Sequence, residues 1–421
     1  MTLNIQGSIV LGKGFIIDKT TRKQLIELNS QNKEVIFPFM NGEDLNNQPD
    51  LTPTRWILNF RNWPLKRATN EEWLQLNKNE RKIGEEKHLL VEPGYSDWVA
   101  SDFQDCLDII NNKVKLDRNT KSKESSQYPY WWFWRPRIEL YKRIEKLDQV
   151  LTAVRISKYF NIAVLPKNYI YNDKCIVFAE DSFSKFCILF SNIYIEWAWK
   201  HSTTLGSSTI VYTPGKCYDT FPFESDSAKD RQLEFHGKAY HEHRKSLMLD
   251  TQLGLTKIYN AFHAKTLNKK PPGSQFLSCL SKSEIENQYG KELWTLWNHL
   301  QKTKNTCSFD EATSAIIKLR HLHEEMDNAV LKSYGWQDID LMHDFYEVDY
   351  LPENDRIRFA IHPDARKEVL KRLLELNHKI HEEEVKAGLW DKKSGKKNTS
   401  KSKTKANQVN EGEVGYGGLF D

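Results

Sequence analysis

One stretch of thirty residues, Val35–Pro64, decides how the chain begins to fold, and it reads VIFPFMNGEDLNNQPDLTPTRWILNFRNWP. An apolar run opens it and is followed by Asn41–Asp44, a polar turn of the residue types that favour turns. A connector with two prolines then leads to Trp56–Phe60, whose aromatic and β-branched residues are typical of a strand. The stretch therefore predicts strands and turns at the start of the chain.

The composition limits the class of protein. A length of 421 residues suggests two or three domains, and 39% hydrophobic residues are enough for real cores. The formal charge of +4 is compatible with DNA binding through a local patch but does not argue for it alone. The six scattered cysteines lack CxxC spacing, the N-terminus lacks a signal-peptide pattern, and no apolar run approaches the ~20 residues of a membrane span. We therefore expect reduced thiols, a cytoplasmic location and no membrane partner.

The order of elements predicts an α+β fold in three parts. Residues 1–224 combine short strands and turns with helical interruptions, which predicts a mixed, strand-rich domain. Residues 225–390 predict a mainly helical domain with a looser insertion at 264–309, and the basic tail at 391–421 predicts disorder. Helix-like sequence predicts, among others, helices at 182–200, 227–250, 311–334 and 363–387.

The residues of an amino-methyltransferase are missing. That reaction needs an Asp/Asn-Pro-Pro-aromatic loop, which holds the target amine and stacks on the flipped base. The only such pair, Pro271–Pro272, stands between Lys270 and Gly273. Gly12–Gly14 predicts a turn rather than a cofactor loop, because a third spaced glycine is absent. We therefore expect no catalysis by this chain alone and no cofactor bound to it.

A metal-dependent DNA nuclease is the alternative enzyme. Pro49-Asp50 followed by Glu85-Glu86-Lys87 matches a PD…ExK pattern, in which two carboxylates hold Mg²⁺ and the lysine orients the attacking water. The pattern is short and is expected by chance in so charged a chain. No histidine spacing completes a zinc motif, so we predict no metal site. A nonfunctional fragment of a larger enzyme is a third alternative.

DNA recognition is the remaining class of function. Basic side chains in the segment 113–123 and beside the aromatic cluster Tyr130–Trp134 can neutralise phosphates, although a solvated loop explains the segment about equally well. The predicted phosphate contacts are Lys113, Lys115, Arg118, Lys121, Lys123, Arg135 and Arg137. We predict that the aromatic cluster itself belongs to a core. Arg155 and Lys158 occupy a predicted strand end, from which they could contact base edges or phosphates.

A series of short motifs runs along almost the whole chain. The motifs are Gly7–Phe15, Asn41–Asn46, Trp56–Phe60, Trp131–Arg135, Arg155–Lys158, Glu196–Trp197, Tyr212–Pro214, Asp219–Phe223, Tyr240–Arg244, Gly254–Asn260, Leu322–Asp327 and Tyr334–Trp336. Jointly they resemble the target-recognition domain and the following helical segment of MmeI-like adenine-N6 DNA methyltransferases. That family comprises type IIG/IIL enzymes of restriction–modification and phage-defence systems.

The resemblance implies that residues 1–224 contact the bases of duplex DNA and that the helices beyond support this domain. Relatives read sequence partly with a strand and loop before the Phe-Pro-Phe motif, which here is Thr203–Tyr212. In a single strand, alternation would place Ser207 with Thr209 on one face and Ser208 on the other. The base-reading candidates are then Arg155, Lys158, Ser207, Ser208 and Thr209.

The resemblance also implies a partner for catalysis. Relatives carry a methyltransferase domain upstream of the matching region, and that domain uses S-adenosylmethionine. We therefore expect this chain to be either a split specificity subunit or a fragment, working with duplex DNA and a methyltransferase domain or subunit.

Overall fold

The computed structural model describes residues 4–119, 128–206, 208–224, 230–267, 272–304 and 306–389, and the fold is given for these residues. They form the mixed α+β fold that the sequence predicts. The chain divides into two compact units, residues 1–377 and 378–421. The predicted boundaries at 224 and 390 and the insertion at 264–309 stay predictions, and the tail at 391–421 lies outside the described residues.

The strands are short. They are β1 (Asn4–Gln6), β2 (Ile16–Ile17), β3 (Ile36–Met40), β4 (Trp56–Leu58), β5 (Lys66–Arg67), β6 (Leu90–Val91), β7 (Gln149–Val154), β8 (Ile156–Ser157), β9 (Ile162–Pro166), β10 (Ile170–Tyr171), β11 (Cys175–Phe178), β12 (Thr203–Leu205), β13 (Thr209–Val211), β14 (Asp344–Glu347) and β15 (Ile357–Ala360). The larger sheets have the orders β1-β11-β7-β9, β10-β3-β4-β2 and β12-β13-β8. In addition, β14 pairs with β15 and β5 pairs with β6.

The helices are more extensive. They are α1 (Lys19–Leu28), α2 (Gly42–Asn47), α3 (Asn70–Gln75), α4 (Lys78–Glu86), α5 (Gln104–Ile110), α6 (Leu116–Asn119), α7 (Ile138–Ile144), α8 (Phe183–Phe190), α9 (Asn192–His201), α10 (Pro214–Cys217), α11 (Arg231–Thr251), α12 (Leu255–Phe262), α13 (Ser274–Leu277), α14 (Lys282–Lys302), α15 (Phe309–Ser333) and α16 (Pro363–Lys386). A π-helical segment, Asn111–Lys115, joins α5 to α6.

Three of the four predicted helices named above are present as single helices, and the fourth is divided into two. The predictions at 227–250, 311–334 and 363–387 correspond to α11, α15 and α16. The helix predicted at 182–200 is instead α8 and α9, separated by Ser191 in an extended conformation. The Ser191 hydroxyl accepts a hydrogen bond from the Tyr194 N–H and so caps α9. A residue that competes for backbone hydrogen bonds thus ends one helix and starts the next.

The opening stretch folds as two antiparallel strands around a capped turn. β3 pairs with β4, and Asn41 caps α2 by accepting hydrogen bonds from the N–H groups of Glu43 and Asp44. The Asp44 carboxylate is buried and accepts from the Asn41 amide and from the Thr54 hydroxyl. The polar turn is therefore a structural connection between the strands.

The aromatic cluster belongs to the core, as predicted. Trp131, Trp132 and Phe133 are buried in one apolar cluster with β2, β3, β4 and α5. The indole N–H groups of Trp131 and Trp132 both donate to the Trp63 carbonyl oxygen, at 3.0 and 2.9 Å. The end of the opening stretch therefore satisfies the buried polar atoms of the cluster.

A second core lies under the sheet β1-β11-β7-β9. α8 packs against that sheet and against α11, while α15 packs on the outer side of α8 and α11. A buried carboxylate, that of Asp327 on α15, links separate parts of this core. It accepts hydrogen bonds of 2.7 Å from the Asn192 backbone N–H, the Asn192 side-chain amide and the His343 Nε2. Burial alone would lower the pKa of His343, but the hydrogen bond and the charge of Asp327 raise it.

All six cysteines lie in the described residues and carry free thiols. Cys106, Cys175, Cys187 and Cys217 are buried, as expected for core thiols, while Cys279 is exposed and Cys307 is half-buried. Among the described residues, no helix has the length and apolar character needed to cross a membrane.

The close approach of α11 to α8 leads to a prediction about stability. A Cβ at Gly237 of α11 would lie 2.2 Å from the Phe183 carbonyl oxygen of α8. We expect Gly237→Ala to lower the free energy of unfolding by roughly 1–3 kcal/mol in urea denaturation, because this overlap outweighs the ~1 kcal/mol better helix propensity of alanine.

Gly215→Ala in α10 is the matched control, because the nearest atom to its new Cβ is Asp219 Oδ2 at 3.8 Å. It should leave stability unchanged or slightly raised. Equal effects of the two substitutions would contradict the packing of α8 on α11.

Candidate nucleic-acid interface

One end of the sheet β1-β11-β7-β9 anchors the predicted DNA-contacting segments. At this end β1 and β7 finish and β11 begins. Arg155 follows β7, and its N–H donates to the Lys174 carbonyl oxygen at 2.7 Å. Gly7 follows β1, and its N–H donates to the Cys175 carbonyl oxygen at 2.9 Å. The segments leaving β1 and β7 therefore flank the start of β11.

The segment after β1 also binds the segment that contains Arg135 and Arg137, which places these arginines at the same end of the sheet. The Ser8 N–H donates to the Tyr171 carbonyl oxygen at 2.7 Å, and the Ser8 hydroxyl donates to the Pro136 carbonyl oxygen at 3.0 Å. Ile9 and Arg135 exchange two backbone hydrogen bonds of 3.0 and 3.1 Å. Residues far apart in sequence are thereby fixed next to one another.

The described base-reading candidates lie on or next to the small sheet β12-β13-β8: Thr209 is on β13, and Arg155 and Lys158 flank β8. The Tyr212 N–H donates to the Arg155 carbonyl oxygen at 2.8 Å, which joins this sheet to the end of β7. Ile156 pairs with Val211, and Ser157 pairs with Ile210. The pairing ends at Ser157, and extending its register by one residue would place Lys158, the residue after β8, across from Thr209.

Thr209, in turn, pairs with Leu205 of β12. Paired residues of antiparallel strands share a face, so Leu205 and Thr209 form one row. We extend the register past β8 to include Lys158 at its end and call these three residues the outer row. Ile210 points to the opposite face and is buried. The outer row is therefore the accessible side of the small sheet.

The single strand expected at Thr203–Tyr212 is a hairpin, which corrects the prediction of one continuous strand. Gly206 has a positive φ of 65° and reverses the chain between β12 and β13. Ser208 and Thr209 are half-buried at the start of β13. Ser207 lies outside the described residues.

The exposed phosphate candidates lie on the π-helical segment and beside the aromatic cluster. Lys113 and Lys115 are exposed on the π-helical segment, and the Lys115 Nζ lies 5.2 Å from the centre of the Tyr130 ring. Arg135 is exposed, with its guanidinium 4.6 Å from the centre of the Trp134 ring. Lys121 and Lys123 lie outside the described residues.

Arg137 is half-buried and holds the left-handed backbone conformation, with φ 56°. Burial, and then the nearby charge of Arg135, lower its pKa. Its Nε atom is buried without a hydrogen-bond partner among the described residues. Left-handed backbone is unfavourable for arginine, and such strain concentrates at functional sites.

The prediction that Arg118 contacts phosphate is corrected by its burial. Its side chain is only 3% exposed. Burial lowers its pKa to about 10, so the guanidinium stays protonated at neutral pH. Its nitrogens donate to four carbonyl oxygens, those of Val10, Leu11, Pro129 and Trp132. Arg118 therefore ties α6 to the two segments that carry the interface.

Two further candidates differ in their surroundings. Arg155 is half-buried, and its guanidinium makes no hydrogen bond or ion pair with another described residue. Lys158 is also half-buried, but its Nζ lies 3.1 Å from Asp355 Oδ2 and 3.4 Å from Asn260 Oδ1. Sequence reasoning missed Asp355, because no local signal links it to a strand so far away in the chain.

The residues of the nuclease pattern occupy surface positions. Asp50 Oδ1 accepts hydrogen bonds from the Thr52 N–H and hydroxyl, which makes a local turn. Glu85 and Lys87 are exposed at the end of α4. Across the described ranges, no three His, Cys, Asp or Glu side chains lie close enough to hold a metal ion.

A cavity of about 70 Å³ lies behind Lys158. Two buried side chains, Asn161 and His323, line it with nitrogen atoms that have no partner among the described residues. Sites for small molecules usually enclose roughly 300–1,000 Å³, so we assign this cavity no ligand.

Comparisons with known proteins show similarity to solved structures only. The sequence matches no protein-family model and no curated protein. Among solved structures, the fold is similar to that of the type IIL restriction–modification enzyme MmeI in complex with DNA, at 14% sequence identity and a TM-score of 0.46. The match covers 91% of this chain and 36% of the MmeI chain, so this chain spans about a third of that protein's length.

The burial of Arg118 generates a prediction. Arg118→Met should lower the free energy of unfolding by roughly 3 kcal/mol or more, because it leaves buried carbonyl oxygens without donors. Urea denaturation measures this loss. Lys113→Met is the control, and as an exposed substitution it should change stability by less than about 0.5 kcal/mol. If Arg118→Met kept full stability, the assignment of Arg118 to the structural framework would be wrong.

Proposed function

We propose that this chain binds duplex DNA and supplies the sequence recognition of an adenine-N6 methyltransferase of the restriction–modification or phage-defence type. In this proposal the chain reads the bases and a separate catalytic domain or subunit transfers the methyl group. The observation that carries the proposal is the shared anchoring of Arg135, Arg155 and the β12–β13 hairpin at one end of the sheet β1-β11-β7-β9.

The chemistry of the two groups of side chains suits two separate tasks. Lys113, Lys115 and Arg135 are exposed cations, which suit phosphates and position a duplex without reading it. Thr209 and Lys158 stand on the outer row, where a hydroxyl and an ammonium group suit base edges in the major groove. The sequence motifs that resemble target-recognition domains include Arg155–Lys158 and Tyr212–Pro214, which flank this row.

The proposed catalytic partner would hold S-adenosylmethionine. The described residues that we place at the interface are cations and hydroxyls, and the sequence contains no Asp/Asn-Pro-Pro-aromatic loop for the target amine. We therefore assign no step of methyl transfer to this chain.

The first test is the salt dependence of duplex binding by the purified full chain. Its affinity should fall steeply between 50 and 200 mM salt, because each neutralised phosphate adds about −0.9 to the slope of log K against log salt. Lys115→Gln and Arg135→Gln should each reduce the magnitude of that slope by about one and weaken binding to all sequences alike. Fluorescence anisotropy with a labelled duplex measures both quantities.

Lys238→Gln on α11 is the matched control, because Lys238 is an exposed lysine outside the proposed interface. It should leave the slope unchanged. The purified chain should also transfer no methyl group from S-adenosylmethionine to duplex DNA. Absence of duplex binding at low salt, or efficient methylation by the isolated chain, would contradict the proposal.

A further inference from the structure

An ion pair extends the outer row beyond Lys158. Asp355 ends a 3₁₀ turn, Glu353–Asp355, in the loop between β14 and β15. Its carboxylate lies 3.1 Å from the Lys158 Nζ. The outer row therefore continues from Leu205 and Thr209 through Lys158 to Asp355, a residue of the helical region.

Arg358 fixes the orientation of the Asp355 carboxylate. One guanidinium nitrogen of Arg358 donates to Asp355 Oδ1 at 3.0 Å, and the other lies 2.8 Å from Asp355 Oδ2. Arg358 is itself buried on β15, with its guanidinium 5.3 Å from the centre of the Tyr159 ring. The hydrogen bond and the ion-pair contact together restrict the orientation of the carboxylate. Asp355 is thus preorganised, whereas an unpaired surface aspartate would rotate freely.

The pair remains accessible and has unused hydrogen-bonding capacity. The side chains of Lys158 and Asp355 are 36% and 25% exposed. An ionised carboxylate has about four acceptor positions, and an ammonium group has three donors. Arg358 and Lys158 use about three of the acceptor positions of Asp355. At least one acceptor of Asp355 and one donor of Lys158 are therefore left for another molecule.

This combination of groups matches one base pair in particular. In the major groove, guanine presents the acceptors O6 and N7, and cytosine presents the N4 amino group as a donor. A lysine suits the guanine edge and a carboxylate suits the cytosine amine. A carboxylate would repel phosphates but can accept a hydrogen bond from an exocyclic amine, so the free acceptor position of Asp355 suits a base edge rather than the DNA backbone.

We propose that Asp355 is a specificity-determining residue that reads a G·C pair together with Lys158. Lys158 donates to the guanine edge and Asp355 accepts from the N4 amino group of the paired cytosine. Arg358 is the positioning residue that orients the carboxylate. The proposal rests on the proposed function, because it requires that the outer row face the major groove of a duplex. It also assigns the β14–β15 loop a direct part in recognition.

The test is selection of duplexes from a random library by the purified full chain, followed by sequencing of the bound pool. The wild-type chain should enrich a site that contains one strongly preferred G·C pair. Asp355→Asn should reduce the preference at that pair by about 5- to 100-fold and leave the other positions unchanged. Lys158→Gln should weaken the preference for the same base pair.

Asp338→Asn is the matched control. Asp338 is held in a similar two-point fork, by Arg372, but Arg372 lies on α16 and not on the small sheet. Both aspartate variants lose charge-assisted contacts with an arginine, and thermal unfolding measures the stability that each loses. Only Asp355→Asn should change the selected sequence. If Asp355→Asn fails to fold, Lys158→Gln and the charge-conserving Asp355→Glu carry the test, and Asp355→Glu should retain part of the preference for G·C.

The outcomes separate the two proposals. If the wild-type chain enriches a site and Asp355→Asn enriches the same site unchanged, the role of Asp355 in reading is overturned while the proposed function stands. If Asp355→Asn and Lys158→Gln relax different base pairs, the shared G·C contact is overturned. If the wild-type chain enriches no sequence at all, the proposed function fails, and the inference fails with it.

Discussion

The close approach of Gly7–Ile9 to the start of β11 is the constraint on which the candidate interface depends. A Cβ on Gly7 would lie 2.2 Å from the Asn172 carbonyl oxygen, so only glycine allows this approach. The hydrogen bonds of Ser8 and Ile9 then hold the segment that carries Arg135. This connection helps to fix Arg135 relative to the small sheet, which the Tyr212–Arg155 hydrogen bond joins to β7. Neither the basic residues nor the small sheet alone distinguishes a DNA reader from an ordinary surface.

Polar contacts as well as apolar packing connect the helical region after residue 224 to the segments of the candidate interface. Asp327 on α15 holds the first residues of α9, and α9 leads directly into the β12–β13 hairpin. The β14–β15 loop places Asp355 against Lys158. The residues after 224 thus position two parts of the small sheet. This arrangement gives the helical region a more direct place in the proposed recognition than the support that the sequence resemblance implies.

The sequence predicted the features that depend on neighbouring residues. Helix-like sequence correctly predicted α11, α15 and α16, and the predicted turn at Asn41–Asp44 is a connection in which Asn41 caps α2. The errors came where long-range contacts decide. Charge alone placed Arg118 at the surface, but four carbonyl oxygens from other segments make its burial favourable. No signal near Asp355 could reveal its ion pair with Lys158, because that contact exists only once β14–β15 packs beside the small sheet.

Hydrogen–deuterium exchange of the full chain, with and without duplex DNA at low salt, tests the central claim most directly. The account predicts slower exchange at Arg155–Lys158 and in the β12–β13 hairpin when the duplex is bound, with α14 unchanged as an internal reference. Duplex binding that left both of these segments unaffected, or that slowed exchange chiefly in α14, would contradict the assignment of the interface.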